Sequence, residues 1–132
     1  MLTVTQNNVA DVTVMEGDVL RCHTQFEDES LDLIVSNPPY VTRREMRELP
    51  DSVKRYEPHL ALYGGEDGLD FYRRIAEDAP LHLNEGGAIL LEVGEGEARD
   101  VLDLLKNNLD CADCGIIKDL TGIERIAWAR SK

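Results

Sequence analysis

The chain has 132 residues, with 14 Lys and Arg against 26 Asp and Glu, for a formal net charge of −12. At 42% hydrophobic and 30% charged the composition is that of a globular domain, not a disordered tail, and no apolar run approaches membrane-spanning length. A pI near 4.5 argues against a free-standing nucleic-acid binder, because phosphates are neutralised by a basic face. Met1 to Thr5 carry neither the basic region nor the apolar stretch of a signal peptide, so the expectation is one domain in the cytoplasm.

Asp11 to Glu16 alternates at period two and stops at Gly17-Asp18, which predicts a strand. Leu31 to Ser36 is rich in strand formers and must end at Asn37-Pro38-Pro39, since proline lacks the ladder donor. Residues 42–63 form a polar connection without clean periodicity. Leu69 to Leu83 has helical spacing, with Pro80 expected to break or kink it. Asn84-Glu85-Gly86-Gly87 reads as a turn before the strand Ala88 to Val93. Glu97 to Leu109 reads as a helix with Ala98, Val101, Leu102, Leu104 and Leu105 inward. Two last strands fit Ala112 to Lys118 and Arg125 to Ala129. This alternation predicts an α/β fold with a largely parallel sheet, in which ligands sit beyond the carboxyl ends of strands. Gly17-Asp18 and Ser36 to Tyr40 lie at such ends.

Three cysteines, Cys22, Cys111 and Cys114, make an odd number and point to reduced thiols. Cys111 to Cys114 is a CxxC that Cys22-His23 could complete for zinc, but the spacing is no recognised four-ligand pattern. Apolar filling in and beside a strand, with no metal, is the expectation.

Asn37-Pro38-Pro39-Tyr40 is the chemically unusual segment. Two prolines fix two φ angles, and Pro38 biases Asn37 towards extended backbone, so the loop is stiff before any ligand arrives. The Asn37 side-chain oxygen and the Pro38 carbonyl can both accept hydrogen bonds, which suits a planar –NH2 group. Tyr40 offers an aromatic face to a planar substrate or a sulfonium cation. Methyl transfer to an amide or aromatic amine needs such positioning because that nitrogen is nearly non-basic.

Leu31 to Tyr40, Tyr56-Glu57-Pro58, Leu62 to Leu69, Gly86-Gly87, Leu91 to Gly94 and Lys118 to Arg125 resemble, in order and spacing, the HemK/PrmC family of release-factor glutamine methyltransferases. The resemblance runs from about Val12 to the C-terminus. It implies a Rossmann-like S-adenosylmethionine-dependent methyltransferase fold and methylation of a glutamine side-chain amide in a peptide-chain release factor. It places Asn37 and Pro38 as the catalytic pair holding the amide, with Pro39 and Tyr40 completing the substrate pocket. Asp18, with Val19 beside it, would lie near the adenine of the cofactor, and Asn37 would also touch the cofactor.

The family's Asp/Glu-x-Gly-x-Gly cofactor loop, its ribose-holding acid and its helical domain have no counterpart ahead of Val12. The expectation is a single partial methyltransferase domain. Glu92-Val93-Gly94-Glu95-Gly96 could stand in for that loop in a permuted enzyme, although Glu95 and Glu97 would surround it with negative charge. DNA adenine methylation uses a similar loop but calls for a basic cleft. Arg43, Arg44, Arg47, Lys54 and Arg55 cluster here among Glu45, Glu48 and Asp51, which suits a solvated lid helix or a contact to the release factor better. A non-catalytic fragment that dimerises or binds a partner is the third reading. By the same resemblance Leu31 to Ser36 lacks a neighbour on one edge. Either Val12 to Met15 pairs with it, or two chains cover each other's edges as a homodimer, which is favoured.

Overall fold

The computed structural model describes residues 11–18, 28–52 and 62–132. In chain order it contains β1 (Leu31–Ser36), α1 (Arg43–Glu48), α2 (Asp70–His82), β2 (Leu83–Glu92), α3 (Ala98–Asn108), β3 (Cys111–Lys118) and β4 (Glu124–Ser131). The core follows from two periodicities. Ile89, Leu91 and Val93, and Ala127 with Ala129, alternate along β2 and β4 and are buried, as a period of two requires of one sheet face. Val101 and Leu105 on α3, with Tyr72, Ala76 and Ala79 on α2, recur at three- and four-residue spacing and close over that face.

The sheet order is β1-β2-β4-β3. It is mixed where a largely parallel sheet was expected: β1–β2 is parallel, whereas β2–β4 and β3–β4 are antiparallel. The cause is the short turn from Asp119 to Ile123, which joins β3 and β4 as a hairpin, whereas a parallel pair needs a long crossover.

Other expectations are corrected as well. Residues 12–18 form no strand despite their alternation, and Val12, Val14 and Met15 are about half exposed. An alternating segment becomes a strand only where a neighbour takes up its backbone groups, and Val12 to Met15 does not pair with β1. The turn expected at Asn84 to Gly87 lies inside β2. Leu31 pairs with Leu83 and Leu33 with Ala88, so these residues bulge from the ladder, with Gly86 at φ +74° and Asn84 Nδ2 donating to Asp32 Oδ1 at 2.8 Å. Pro80 does not break α2, which runs on to His82. Proline so near a helix end removes only the bond to the Ala76 carbonyl, and the Leu83 amide closes the end on Ala79 O. Within residues 42–63 stands α1, started by a reciprocal capping box between Thr42 and Glu45.

The face of the sheet opposite α2 and α3 is different. Val35, Leu90, Trp128 and Gly115 are register partners across all four strands and alternate with the buried core residues. On this side Val35 is 68% and Leu33 57% exposed. Among the described residues β1 pairs only with β2, so its outer edge is open.

Candidate functional site

β1 ends with Asn37 exposed and Pro38 buried, and Pro39 and Tyr40 are half-buried. The chain is then pinned: the Val41 amide donates to Leu62 O at 2.8 Å, and the Gly64 amide to Val41 O at 2.9 Å. The loop is thereby fixed by proline at its start and by a two-strand bridge, Val41 with Tyr63, at its end.

Two glycines let the loop seat this deeply. A Cβ on Gly94 would lie 2.6 Å from Tyr40 Cδ2 and would also strike Glu97 Oε1. Gly68, at φ +79°, has no room for a Cβ because the Tyr40 carbonyl oxygen occupies that space, and Glu97 Oε2 lies 3.3 Å from the same point. Tyr40 and the Glu97 carboxyl therefore share one seat between the 64–69 loop and the start of α3. Beneath them the Tyr72 hydroxyl donates to Glu92 O at 2.7 Å. Its burial, with Glu97, Tyr40 and Glu92 nearby, holds the phenol above its ordinary range.

Glu97 enters the sequence reasoning only as a helix start and as negative charge around a possible cofactor loop. Its Oε2 is buried and has no hydrogen-bond partner among the described residues. Burial, followed by the charges of Glu45, Asp67 and Asp100, pushes the carboxyl up to about 7. A cleft of about 500 Å³ opens beside it, lined by Tyr40, Glu45, Glu48, Glu95, Glu97 and Arg125 among others. The Arg125 Nε donates to Asp119 Oδ2 at 3.2 Å, so the cleft wall is acidic on balance. Of the Asn37–Tyr40 loop, Tyr40 lines this cleft, and Asn37, Pro38 and Pro39 are not among its lining. Asp18 stands exposed in the irregular segment 12–18, and Val19 lies outside the described residues.

The basic cluster is largely engaged. Arg43 pairs with Glu66 at 3.0 Å and Arg44 with Glu48 at 3.6 Å, while Lys54 and Arg55, like Tyr56-Glu57-Pro58, lie outside the described residues. Cys111 and Cys114 are free thiols in β3, Cys111 donating to Leu109 O; Cys22 and His23 are not described. Among the described residues there is no group of three or more His, Cys, Asp or Glu that could hold a metal, and no helix is long and apolar enough to cross a membrane.

No family model matches the chain. It is 43% identical over 121 residues to the release factor glutamine methyltransferase of Geobacter sulfurreducens, covering 92% of this chain and 41% of that one. To the protein of the same name in Cereibacter sphaeroides it is 43% identical over 131 residues, covering 98% and 47%. To that of Clostridium acetobutylicum it is 47% identical over 118 residues, covering 89% and 41%. The chain thus spans less than half the length of these relatives. Among solved structures, a candidate DNA modification methylase from Thermus thermophilus superposes with a TM-score of 0.56 at 21% identity, covering 87% of this chain and 52% of that one. Its complex with S-adenosyl-L-methionine gives 0.53 at 22% identity, covering 87% and 53%. At that identity the likeness bears on fold alone, which is a partial Rossmann-like one.

Proposed function

The chain belongs to the release factor glutamine methyltransferase family as a partial-length member, and we propose that it carries the amide-binding side of a methyltransferase site. The substrate we assign is a glutamine side chain in a peptide-chain release factor. The observation that carries this reading is the pinned loop with Asn37 exposed at its tip and Pro38 buried behind it. Asn37 Oδ1 and the Pro38 carbonyl accept the two hydrogens of the amide, leaving its nitrogen presented at one face. Pro39 has no N–H to compete, and Tyr40, seated on Gly94, walls the pocket. The work these residues do is alignment and exclusion of water, since an amide nitrogen cannot be activated by an ordinary base.

We assign S-adenosylmethionine as the methyl donor, with Asn37, Asp18 and Val19 as the residues of this chain that would hold it. When bound, it supplies an electrophilic methyl group on a sulfonium centre, and the acidic wall is suited to that cation. Calorimetric titration of the chain with S-adenosylmethionine, followed by mass measurement of a release factor incubated with both, tests the reading. Heat of binding and a methylated glutamine are expected. Binding without transfer points to a chain that needs the rest of the domain, and neither result being obtained overturns the reading in favour of a non-catalytic fragment.

We further infer that two copies associate through β1. Leu33 and Val35 are more than half exposed beside a strand edge that no described strand pairs with, an arrangement that invites strand pairing, and the charge of −12 opposes promiscuous aggregation but not one symmetric contact. Light scattering at low micromolar concentration is expected to give twice 14.8 kDa; the monomer mass overturns it.

A further inference from the structure

A carboxyl oxygen buried without a partner is rare enough in folded proteins to require an account. Glu97 is such a case, and its surroundings define what it can do. Its two oxygens lie against Gly94 and Gly68, the same two glycines that seat the ring and the carbonyl of Tyr40. The Glu97 carboxyl therefore lies beside the loop at both points where the glycines seat it. We propose that Glu97 is the positioning residue of the Asn37–Tyr40 loop, holding it seated as a neutral carboxyl and releasing it as a carboxylate. The inference deepens the amide-binding reading above by naming what sets the loop's position, and its test needs neither substrate nor cofactor.

The groups facing Glu97 are almost all acidic. They are Glu45 on α1, Asp67 in the 64–69 loop, Asp100 on α3 itself, Tyr72 on α2 and Tyr40 on the loop, with Glu95 and Arg125 on the cleft wall. Arg125 is already engaged by Asp119, and Asp67 is engaged by Arg73. A carboxylate at this spot would meet like charge and no donor, at a real cost in free energy. A neutral carboxyl carries a proton that it can turn towards the Tyr40 carbonyl, which lies against the same Gly68. Burial accordingly pushes the group up to about 7. Ionisation is relieved by swinging the side chain outward into the cleft, and Tyr40 loses its support when that happens.

Hydrogen exchange of the intact chain reads this directly. Pro38 and Pro39 have no amide, so the reporters are the Val41 and Gly64 amides that pin the loop and the Gly68 amide that donates to Gly65 O. Protection factors at these sites are expected to fall between pH 4.5 and 7, by at most about 300-fold for the full interval from 4.5 to about 7, and to level off above, as linkage requires of a group neutral when seated and ionised when free. The Thr121 and Ile123 amides of the hairpin serve as an internal reference without such a step. Glu97→Gln, which keeps shape and loses the proton equilibrium, is expected to hold high protection at every pH, and Glu97→Ala low protection at every pH. A wild-type profile with no step, or a step that survives in Glu97→Gln, overturns the proposal. Loss of methyl transfer with the step intact would count against the amide-binding reading instead.

Discussion

Two acids at turns of the same sheet, Asp119 and Glu97, live in opposite surroundings. Asp119, at the end of β3, accepts from the Thr121 amide at 2.8 Å, the Thr121 hydroxyl at 2.7 Å, the Ile123 amide at 3.1 Å and Arg125 Nε at 3.2 Å. Those donors hold its carboxyl well below the usual carboxylate range. Glu97, at the start of α3, has a buried oxygen with no donor among the described residues and is pushed in the other direction. A turn that only reverses the chain satisfies its polar groups completely. The turn that holds Glu97 instead keeps an unsatisfied acid and, in Gly94, a glycine without room for a Cβ. Departures of this kind from full local satisfaction concentrate where a surface has work besides folding.

Substitutions can break the contrast on either side, and the largest effect is expected at the loop tip. Asn37→Ala, assayed in the background of a full-length relative, should cost about 2–4 kcal/mol of activation free energy, the range for losing one aligned hydrogen bond in a dry site. Its melting temperature should not change, because Asn37 is exposed at a strand end. Full activity in this variant would remove Asn37 from the site. Next comes the seat. Gly94→Val puts a branched side chain where Tyr40 and Glu97 already lie, and overpacking of that order costs about 1–3 kcal/mol, readable from urea midpoints. A smaller effect is expected at the hairpin, where Asp119→Ala should lower the melting temperature while leaving methyl transfer unchanged. A loss of activity there would mean that the hairpin is part of the site.

Much of this was legible in the sequence. Ile89-Leu90-Leu91 and Ala98, Val101 and Leu105 announce β2 and α3 because their own partners lie within the chain. Asp11 to Glu16 alternates equally well and forms no strand, since alternation reports what a segment can pair with and not whether the neighbour is there. Thr42 and Glu45 carried a capping-box signal for α1 that the polar surroundings obscured. Gly86-Gly87 reads as a turn locally, and only the pairing of Leu31 with Leu83 and Leu33 with Ala88 shows it absorbed as a bulge. In the site, Asn37-Pro38-Pro39-Tyr40 was readable because its stiffness is covalent. Glu97 was not, because its proposed role depends on two glycines distant in sequence from Tyr40, Gly68 against its carbonyl and Gly94 against its ring.

The smallest effect is also the one that separates the two acids most sharply, because they bend stability with pH in opposite senses. For Asp119 the folded value lies below the unfolded value of 3.8. Its contribution is therefore complete above about pH 4 and is lost as pH falls through the lowered folded value. For Glu97 the folded value, about 7, lies above the unfolded 4.5. The folded chain then binds more protons than the unfolded chain between these values, so this group lowers stability as pH rises from 4.5 to 7, with no further change above. Together they place the optimum for this pair slightly above pH 4, on the acid side of neutrality. Urea denaturation at half-unit steps from pH 3 to 8 should show stability falling between 4.5 and 7 in the native sequence. In Glu97→Gln that fall should be reduced while the acid limb persists, and in Asp119→Asn the acid limb should shrink while the fall persists. If Glu97→Gln leaves the slope between 4.5 and 7 unchanged, the contrast between a satisfied turn and an unsatisfied one has no energetic content at Glu97.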